Sequence, residues 1–303
     1  MGKLSVTVRD LQRLKAEARG FSFLPKQPVG SLLSGQHASR LRGRGMSFEE
    51  LRVYHQGDDI RSMDWRATAR LRKPHVRAYA EDRERPVLFL VDQRTPMFFG
   101  SKRCMKSVVA AEIAALGAWR TLDVGDRPGG IVFNDSEIVE VRPHRSQSRV
   151  LQLFSHISRM SQKLETWTAS TTNGVDLNKV LDKALQLASH DFLIVLVSDL
   201  DGADVETEKK LSQLARRNDV LLLAIYDPLG ITLSGYPGMV ASDREQVWNL
   251  PAEKGFSQRF QQAFGKTLER WQAVGRNLRV PILPISTAVP VAQQILSLIG
   301  GQK

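Results

Sequence analysis

Two short apolar runs, each ending in an aspartate, constrain the fold of this chain more than any other feature. The first is PVLFLVD (86–92) and the second is FLIVLVSD (192–199). Apolar runs of this length are typical of strands buried on both faces of a parallel sheet. Segments with helical spacing follow them, near 103–123 and 205–217. This alternation predicts an α/β fold with a doubly wound, mostly parallel sheet of the Rossmann type.

The rest of the chain extends the same pattern. Leu4, Val8, Leu11, Leu14 and Ala18 fall on one face of a predicted helix over residues 3–19. A hairpin is expected around residues 134–135. The other predicted elements are strands at 219–228 and 280–286, helices at 146–160, 175–189, 252–277 and 290–299, and a small hairpin within 230–250.

Charge is unevenly distributed along the 303 residues. Residues 1–85 hold 18 Lys and Arg against 10 Asp and Glu, a net +8 of the total +11. We therefore expect two parts: an N-terminal helix with a basic, β-rich motif segment (1–85) packed on a main domain (86–300). No apolar run approaches the roughly 20 residues that span a bilayer, and the chain has a single cysteine, so a cytoplasmic location is expected.

The stretch VYHQGDDIRSMDWRATAR (53–70) mixes three aspartates with arginines. Three interpretations remain open for it. The aspartates could hold a metal for hydrolysis, although no histidine stands at a recognised ligand spacing. The arginines could clamp nucleic acid, although the aspartates interrupt the basic surface. The charges could form an ionic brace onto the main domain, with a docking surface on its outer side. The residues concerned are Arg42, Arg44, Asp58, Asp59, Arg61, Asp64, Trp65 and Arg70.

Two strand-end aspartates, Asp92 and Asp199, should lie close together. Ligands of open parallel sheets bind outside the carboxyl ends of the strands, where the strand order reverses. Two carboxylates at that edge suit a hard cation such as Mg²⁺. Alternatively, each aspartate simply caps the helix that follows it.

The front motif, followed by LFLVDQRTPM, GDRPGGIVF and LVSDLDG, resembles domain-of-unknown-function family 58 over roughly residues 30–225. The resemblance implies a von Willebrand factor A-like domain behind the basic motif. It also implies a protein-interaction role without catalytic activity, beside an AAA+ ATPase of the MoxR type. The front residues that fit are Gly35, His37, Ser39, Arg42, Gly43, Gly45, Phe48, Leu51, Arg52, Tyr54, Gly57, Asp58, Asp59, Arg61, Asp64, Trp65, Thr68, Ala69 and Arg70.

The chain departs from the metal motif that the resemblance implies. Asp92 and Asp199 match the two metal-binding aspartates, but Arg94, Pro96 and Val175 stand where serine, serine and threonine are expected. Thr95 is not at the motif's spacing. The expected consequence is a degenerate metal site with no cofactor. Our hypothesis is that the Arg94 guanidinium replaces the cation and bridges both carboxylates.

These arguments predict a non-enzymatic adaptor that acts with a MoxR-type ATPase and with client proteins. The strand-end binding residues would be Asp92, Arg94, Thr95 and Asp199. The alternatives are a nucleic-acid-binding protein that uses the basic front segment and a metal-dependent hydrolase around Asp58, Asp59 and Asp64.

Overall fold

In the computed structural model, the chain forms two compact units. The main unit comprises Met1–Leu33 with Arg85–Lys303, and the small unit comprises Ser34–Glu84. The structure describes residues 2–18, 46–55, 58–81, 84–166, 175–229, 240–242, 247–249, 262, 265, 269, 271–278 and 280–299.

Helix α1 (Val8–Arg13) belongs to the main unit. Thr7 begins it with a capping box, because its hydroxyl accepts from the Asp10 N–H while the Asp10 carboxylate accepts from the Thr7 N–H. Leu11 is fully buried, and its carbonyl accepts from Trp119 Nε1 at 3.1 Å. The helix is therefore shorter than the predicted 3–19, and the predicted front segment 1–85 is divided between the two units.

The small unit is a two-stranded antiparallel sheet with a short helix between its strands. Strand β1 (Met46–Val53) pairs with β2 (His75–Glu81), and helix α2 (Trp65–Leu71) lies between them in sequence. The Asp64 N–H donates to the His75 carbonyl at 2.9 Å, which ties the start of α2 to β2. Among the side chains described in this unit, only that of Val76 is buried.

The sheet of the main unit has the doubly wound order that the strand pattern predicted. Its six strands are β3 (Pro86–Asp92), β4 (Arg127–Phe133), β5 (Ile138–Val141), β6 (Leu193–Ser198), β7 (Asp219–Tyr226) and β10 (Ile282–Ser286). Their order is β10-β7-β6-β3-β4-β5, and all neighbours are parallel except β5, which pairs antiparallel with β4. Strands β8 (Val240–Ser242) and β9 (Val247–Asn249) form a separate antiparallel pair.

Helices cover both faces of this sheet. Along β3, Val87, Phe89 and Val91 pack into one apolar core with residues of α1 and of the helices at 106–123, 147–166 and 291–299. Leu88 and Leu90 point to a second core with the helices at 177–187 and 205–215 and with helical residues 271–278. The helices are α3 (Lys106–Asp123), α4 (Gln147–Thr166), α5 (Leu177–Leu187), α6 (Val205–Ala215) and α7 (Val291–Ile299).

The predicted fold class is confirmed by this topology. Helix α4 runs to Thr166 rather than ending near 160, and α3 begins at Lys106 rather than at 103. The pair of β8 and β9 confirms the small hairpin predicted within 230–250. Most of the predicted helix 252–277 lies outside the described residues. Within the described part of the chain, no helix combines the length and apolar character needed to cross a membrane.

Candidate functional site

The strand order of the main sheet reverses between β3 and β6, the position at which doubly wound sheets bind ligands. Asp92 ends β3, and Ser198 ends β6 just before Asp199. Because β3 and β6 are parallel neighbours, these residues meet at the same sheet edge. Together with Arg94 and Lys106 they form the group that we call the strand-end cluster.

Asp92 is completely buried, and both of its carboxylate oxygens accept hydrogen bonds. The Arg94 guanidinium places Nε 3.0 Å from Oδ1 and Nη2 2.7 Å from Oδ2, and the Arg94 backbone N–H donates to Oδ1 at 2.9 Å. Ser198 Oγ donates to Oδ2 at 2.6 Å. Burial raises the pKa of Asp92, while the hydrogen bonds and the charge of Arg94 oppose that rise.

Two further contacts fix Arg94 in place. Its Nη2 donates to the Asp201 carbonyl at 3.1 Å, and its guanidinium carbon lies 5.6 Å from the centre of the Phe133 ring. Burial acts to lower the pKa of Arg94, but the hydrogen bonds and charge of Asp92, with the charges of Asp199 and Asp201, raise it. Arg94 is therefore a permanent cation inside the strand-end cluster.

Asp199 has a cation of its own, which the sequence analysis did not identify. Lys106 Nζ lies 2.5 Å from Asp199 Oδ2, and both side chains are largely buried. The Asp201 N–H donates to Oδ1 at 3.0 Å. This arrangement differs from the hypothesised bridge, since Arg94 hydrogen-bonds Asp92 and Lys106 pairs with Asp199. One feature of the sequence could have indicated this pairing. Lys106 lies in the first turn of α3, where a cation is unfavourable unless a carboxylate lies near it.

The strand-end cluster, as arranged, does not fit Mg²⁺. That ion takes oxygen ligands in an octahedron, but the two oxygens of Asp92 already accept from Arg94 and Ser198, and Asp199 faces the Lys106 ammonium. Among the residues that the structure describes, no three His, Cys, Asp or Glu side chains come together as a possible metal site.

Thr95 joins the loop after β3 to the turn after β4. Its N–H and hydroxyl donate to Asp135 Oδ2 at 2.9 and 2.8 Å. The Asp135 carbonyl in turn accepts from the N–H of Val175, which stands where the resemblance expects a threonine ligand. Thr95 therefore connects two loops at the edge that carries the strand-end cluster.

A third carboxylate at this edge, Asp227, was also missed from the sequence. It follows β7 and accepts from the Ser101 N–H at 2.8 Å, the Ser101 hydroxyl at 2.5 Å, the Thr287 hydroxyl at 2.5 Å and the Leu229 N–H at 2.9 Å. Burial acts to raise the pKa of Asp227, but these hydrogen bonds outweigh it and lower the pKa. The sequence could have indicated this residue, because Asp227 directly follows the apolar strand β7, as Asp199 follows β6.

The loop after β6 has an unusual backbone. Leu200 has φ +61° and Gly202 has φ +73°, both in the left-handed region. A leucine in that region is strained unless its surroundings hold it there, and here the Leu200 N–H donates to Ser198 Oγ at 3.0 Å and its side chain is buried. The loop therefore keeps a fixed shape that presents the Asp201 carbonyl to Arg94.

In the small unit, the three aspartates of the front motif are engaged locally. Asp58 forms a two-point pair with Arg52, at 2.7 and 2.8 Å, which with the His55 N–H lowers the pKa of Asp58 to about 2. Asp59 caps a 3₁₀ turn at residues 60–62, and Asp64 caps α2. The carboxylates assigned to a brace or to a hydrolytic metal site therefore serve local structure.

Of the remaining front residues, the structure describes Arg61, Trp65 and Arg70. Arg61 and Arg70 are exposed and form no ion pair with any described residue. Trp65 is 67 % exposed. Arg42 and Arg44 lie outside the described residues. Cross-linking of the front segment to the main unit stays a prediction.

A family model described as "Protein of unknown function DUF58" matches residues 50–273. The chain belongs to this family. Similar proteins include the uncharacterized proteins Rv1480 of Mycobacterium tuberculosis and Mb1516 of Mycobacterium bovis. Each is 28 % identical to this DUF58 chain over 236 residues, which are 78 % of this chain and 72 % of the relative.

Two solved structures are similar at low identity. One is the conserved hypothetical protein BatB from Bacteroides thetaiotaomicron, with 15 % identity, coverage of 70 % of this chain and 97 % of that chain, and a TM-score of 0.35. The other is the SpRpn10 VWA domain, with 12 % identity, coverage of 71 % and 94 %, and a TM-score of 0.38.

Proposed function

We propose that this protein is a non-enzymatic interaction module of the cytoplasm, an adaptor that acts with a MoxR-type AAA+ ATPase and docks through the sheet edge carrying the strand-end cluster. Membership of the DUF58 family supports an interaction role, and the ATPase is the partner that the family resemblance implies.

The observation that carries the proposal is the pairing of each strand-end aspartate with a cation of the same chain. A carboxylate held by a guanidinium fork or an ammonium is poorly placed to accept a substrate proton or to attack a substrate. The same pairing keeps the edge formed without a metal ion. We therefore propose that the metal site is degenerate and that docking is independent of divalent cations.

The surface around the cluster offers contacts that suit a protein partner. Phe99 is 45 % exposed and its ring centre lies 6.0 Å from Lys106 Nζ. Val205, at the start of α6, is also largely exposed. The loops that carry these residues are fixed by Asp92, Asp135 and Asp227, so binding would require little ordering of the surface. An exposed aromatic on a fixed surface is a frequent centre of binding energy.

The experiment is capture of partners by tagged full-length protein from nuclease-treated lysate with Mg-ATP, with identification of captured proteins by mass spectrometry. Wild type is expected to recover an AAA+ ATPase. Phe99→Ser should reduce that recovery at least about tenfold if the edge is the docking face. The matched control is Val124→Ser at the opposite end of α3, where the valine is 43 % exposed.

Two results would contradict the proposal. Recovery of no ATPase by wild type would remove the adaptor role. Equal recovery by wild type, Phe99→Ser and Val124→Ser would place docking away from the strand-end edge. Circular dichroism of both variants is needed to establish that the fold is retained.

A further inference from the structure

The surface around α2 in the small unit exposes large apolar side chains beside cations that form no ion pair with a described residue. Ile60 is 62 % exposed, Trp65 is 67 % exposed and Leu71 is 53 % exposed. Exposed apolar groups of this size on a small unit indicate an interaction surface, because they lose water when a partner covers them. We call this region the α2 surface, formed by Ile60, Arg61, Trp65, Arg66, Arg70, Leu71, Arg72 and Lys73.

The small unit does not bury these apolar side chains. Among the side chains described in this unit, Val76 alone is buried. A unit of this size usually needs a disulfide, a metal or burial against another surface for stability. The apolar side chains of the α2 surface are therefore expected to gain much of their burial from a partner.

The charge of the α2 surface is positive and unbalanced. None of its five cations forms an ion pair with another described residue. The nearby aspartates form no ion pair with these cations among the described residues: Asp58 pairs with Arg52, while Asp59 and Asp64 accept from backbone N–H groups as helix caps. The preceding sequence adds further arginines rather than acids at residues 40, 42 and 44. A partner that carries negative charge would complement this surface.

The helix geometry places two arginines outward. Thr68 faces the sheet, since its hydroxyl accepts from the His75 N–H at 3.0 Å. At 100° per residue, Arg66 and Arg70 lie on the opposite side of α2, one turn apart. On the same projection Trp65 and Leu71 lie about 60° to either side of Thr68, and each is about 100° from the nearer arginine.

We propose that the α2 surface binds an acidic segment of another protein, with carboxylates on Arg66 and Arg70 and an apolar side chain against Trp65. Arginine forks pair with carboxylates at two points, and Trp and Arg are the residues most enriched at the energetic centres of protein interfaces.

The side chains present favour a protein over nucleic acid or a membrane. Nucleic acid binding uses aromatic stacking and phosphate contacts, which leave the aliphatic Ile60 and Leu71 without a role. Four of the five cations are arginines, which are enriched at protein interfaces where lysine is depleted. A lipid surface takes one continuous apolar helix face, but in this seven-residue helix the polar Thr68 lies between Trp65 and Leu71.

The test uses the full chain and a fluorescein-labelled peptide in which Glu alternates with Leu and Phe, followed by fluorescence anisotropy. The peptide should bind wild type, and binding should weaken as salt is raised. Arg66→Glu/Arg70→Glu and, separately, Trp65→Ser should each weaken binding at least about tenfold. The matched control is Lys179→Glu/Lys183→Glu, a reversal of two exposed cations at the same spacing on α5, and it should leave binding unchanged.

Several outcomes would overturn the proposal. No binding to wild type, or equal binding by all variants, would do so. A single-stranded oligonucleotide or phosphatidylglycerol vesicles that bind more tightly than the peptide, and lose binding in Arg66→Glu/Arg70→Glu, would assign the surface to those partners instead. Self-association of wild type that the same variant abolishes would assign it to a second copy. Phe99→Ser should leave peptide binding unchanged, which separates this test from that of the strand-end edge.

Discussion

Arg94 and Arg142 each pair with a carboxylate two residues earlier in the sequence, but in very different surroundings. The Arg94–Asp92 pair is almost fully buried, whereas the Arg142 side chain is 83 % exposed where it meets Glu140. Water screens the second pair and competes for its hydrogen bonds. In the first pair, removal of the guanidinium would leave a buried carboxylate that has lost its cation.

Arg94→Ser should lower the free energy of unfolding by about 3–5 kcal/mol, because it leaves the Asp92 charge buried and unpaired. Arg142→Ser is the matched control and should cost no more than about 1 kcal/mol. Urea unfolding measures both. Mg²⁺ should raise the midpoint of thermal unfolding for Arg94→Ser if a cation can take the vacated position. Equal small losses, with no response to Mg²⁺, would contradict the idea that Arg94 replaces a cation.

The pKa of Asp58 should depend on Arg52. Its folded-state pKa of about 2 lies below the ordinary value of 3.8, so its contribution to stability is present above about pH 4 and is lost as pH falls toward 2. Arg52→Ala should raise the pKa of Asp58 toward 3.8, as followed by carbon-13 NMR of the carboxyl group.

Asp204 is an internal control for that titration. Its pKa is also about 2, but the first cause is the hydrogen bond from the Thr207 N–H at the start of α6. Arg52→Ala should leave it unchanged. A pKa of Asp58 that stays near 2 in this variant would show that the backbone N–H of His55 is sufficient.

At the scale of elements, α1 is attached to the main unit by core packing and hydrogen bonds. Val6 and Leu11 are fully buried, and the Val6 carbonyl accepts from Ser158 Oγ at 3.0 Å while Trp119 donates to the Leu11 carbonyl. A helix of six residues is not stable alone, so these contacts must supply its stability. Helical spacing of the apolar residues predicted a longer helix, but Thr7 fixes its start because a capping residue takes an extended backbone.

Leu11→Ala should therefore reduce the free energy of unfolding by about 2–5 kcal/mol, since it leaves a cavity between α1, α3 and α4. Leu4 precedes the helix and is 41 % exposed. Leu4→Ala should cost less than about 1 kcal/mol, because little apolar surface is lost there. Chemical denaturation compares the two variants. An equally small loss of unfolding free energy in both variants would mean that α1 contributes little to the fold.

At the scale of the whole molecule, the carboxyl edge of the main sheet is cross-linked by side chains from distant parts of the sequence. Asp92 meets Ser198, Asp135 meets Thr95, and Asp227 meets Thr287. Each link joins loops that follow different strands. The edge therefore behaves as one preformed surface, supported by ion pairs and hydrogen bonds of the chain itself.

Thermal unfolding of the whole chain should be unaffected by divalent cations. Binding of Mg²⁺ at about a hundred times its Kd would stabilise the protein by about 2.7 kcal/mol and raise the midpoint. We expect the same midpoint in about 10 mM MgCl₂ and in EDTA, because Arg94 and Lys106 already neutralise the two aspartates. An increase of several degrees with Mg²⁺ would contradict the degenerate site, since the wild-type chain would then bind the ion.

Some features of the site followed from the local pattern and others did not. The apolar runs located β3 and β6, and the parallel sheet that they predicted correctly brought Asp92 and Asp199 together. Lys106 and Ser198 were missed, because their role depends on which loops meet at the strand ends. The pairing of Asp58 with Arg52 and the capping by Asp59 and Asp64 were not foreseen, since mixed charge does not reveal which carboxylates cap helices.

The sequence by itself determined the fold class and the family of this protein, because burial on both sheet faces requires continuous apolar strands and because the front motif is distinctive. The tertiary structure decided the partners of each charge. Pairing between Asp199 and Lys106, or between Asp58 and Arg52, depends on distances of a few ångströms between loops, and sequence spacing does not fix those distances. At such separations burial and geometry determine whether a carboxylate binds a metal, caps a helix or pairs with a cation.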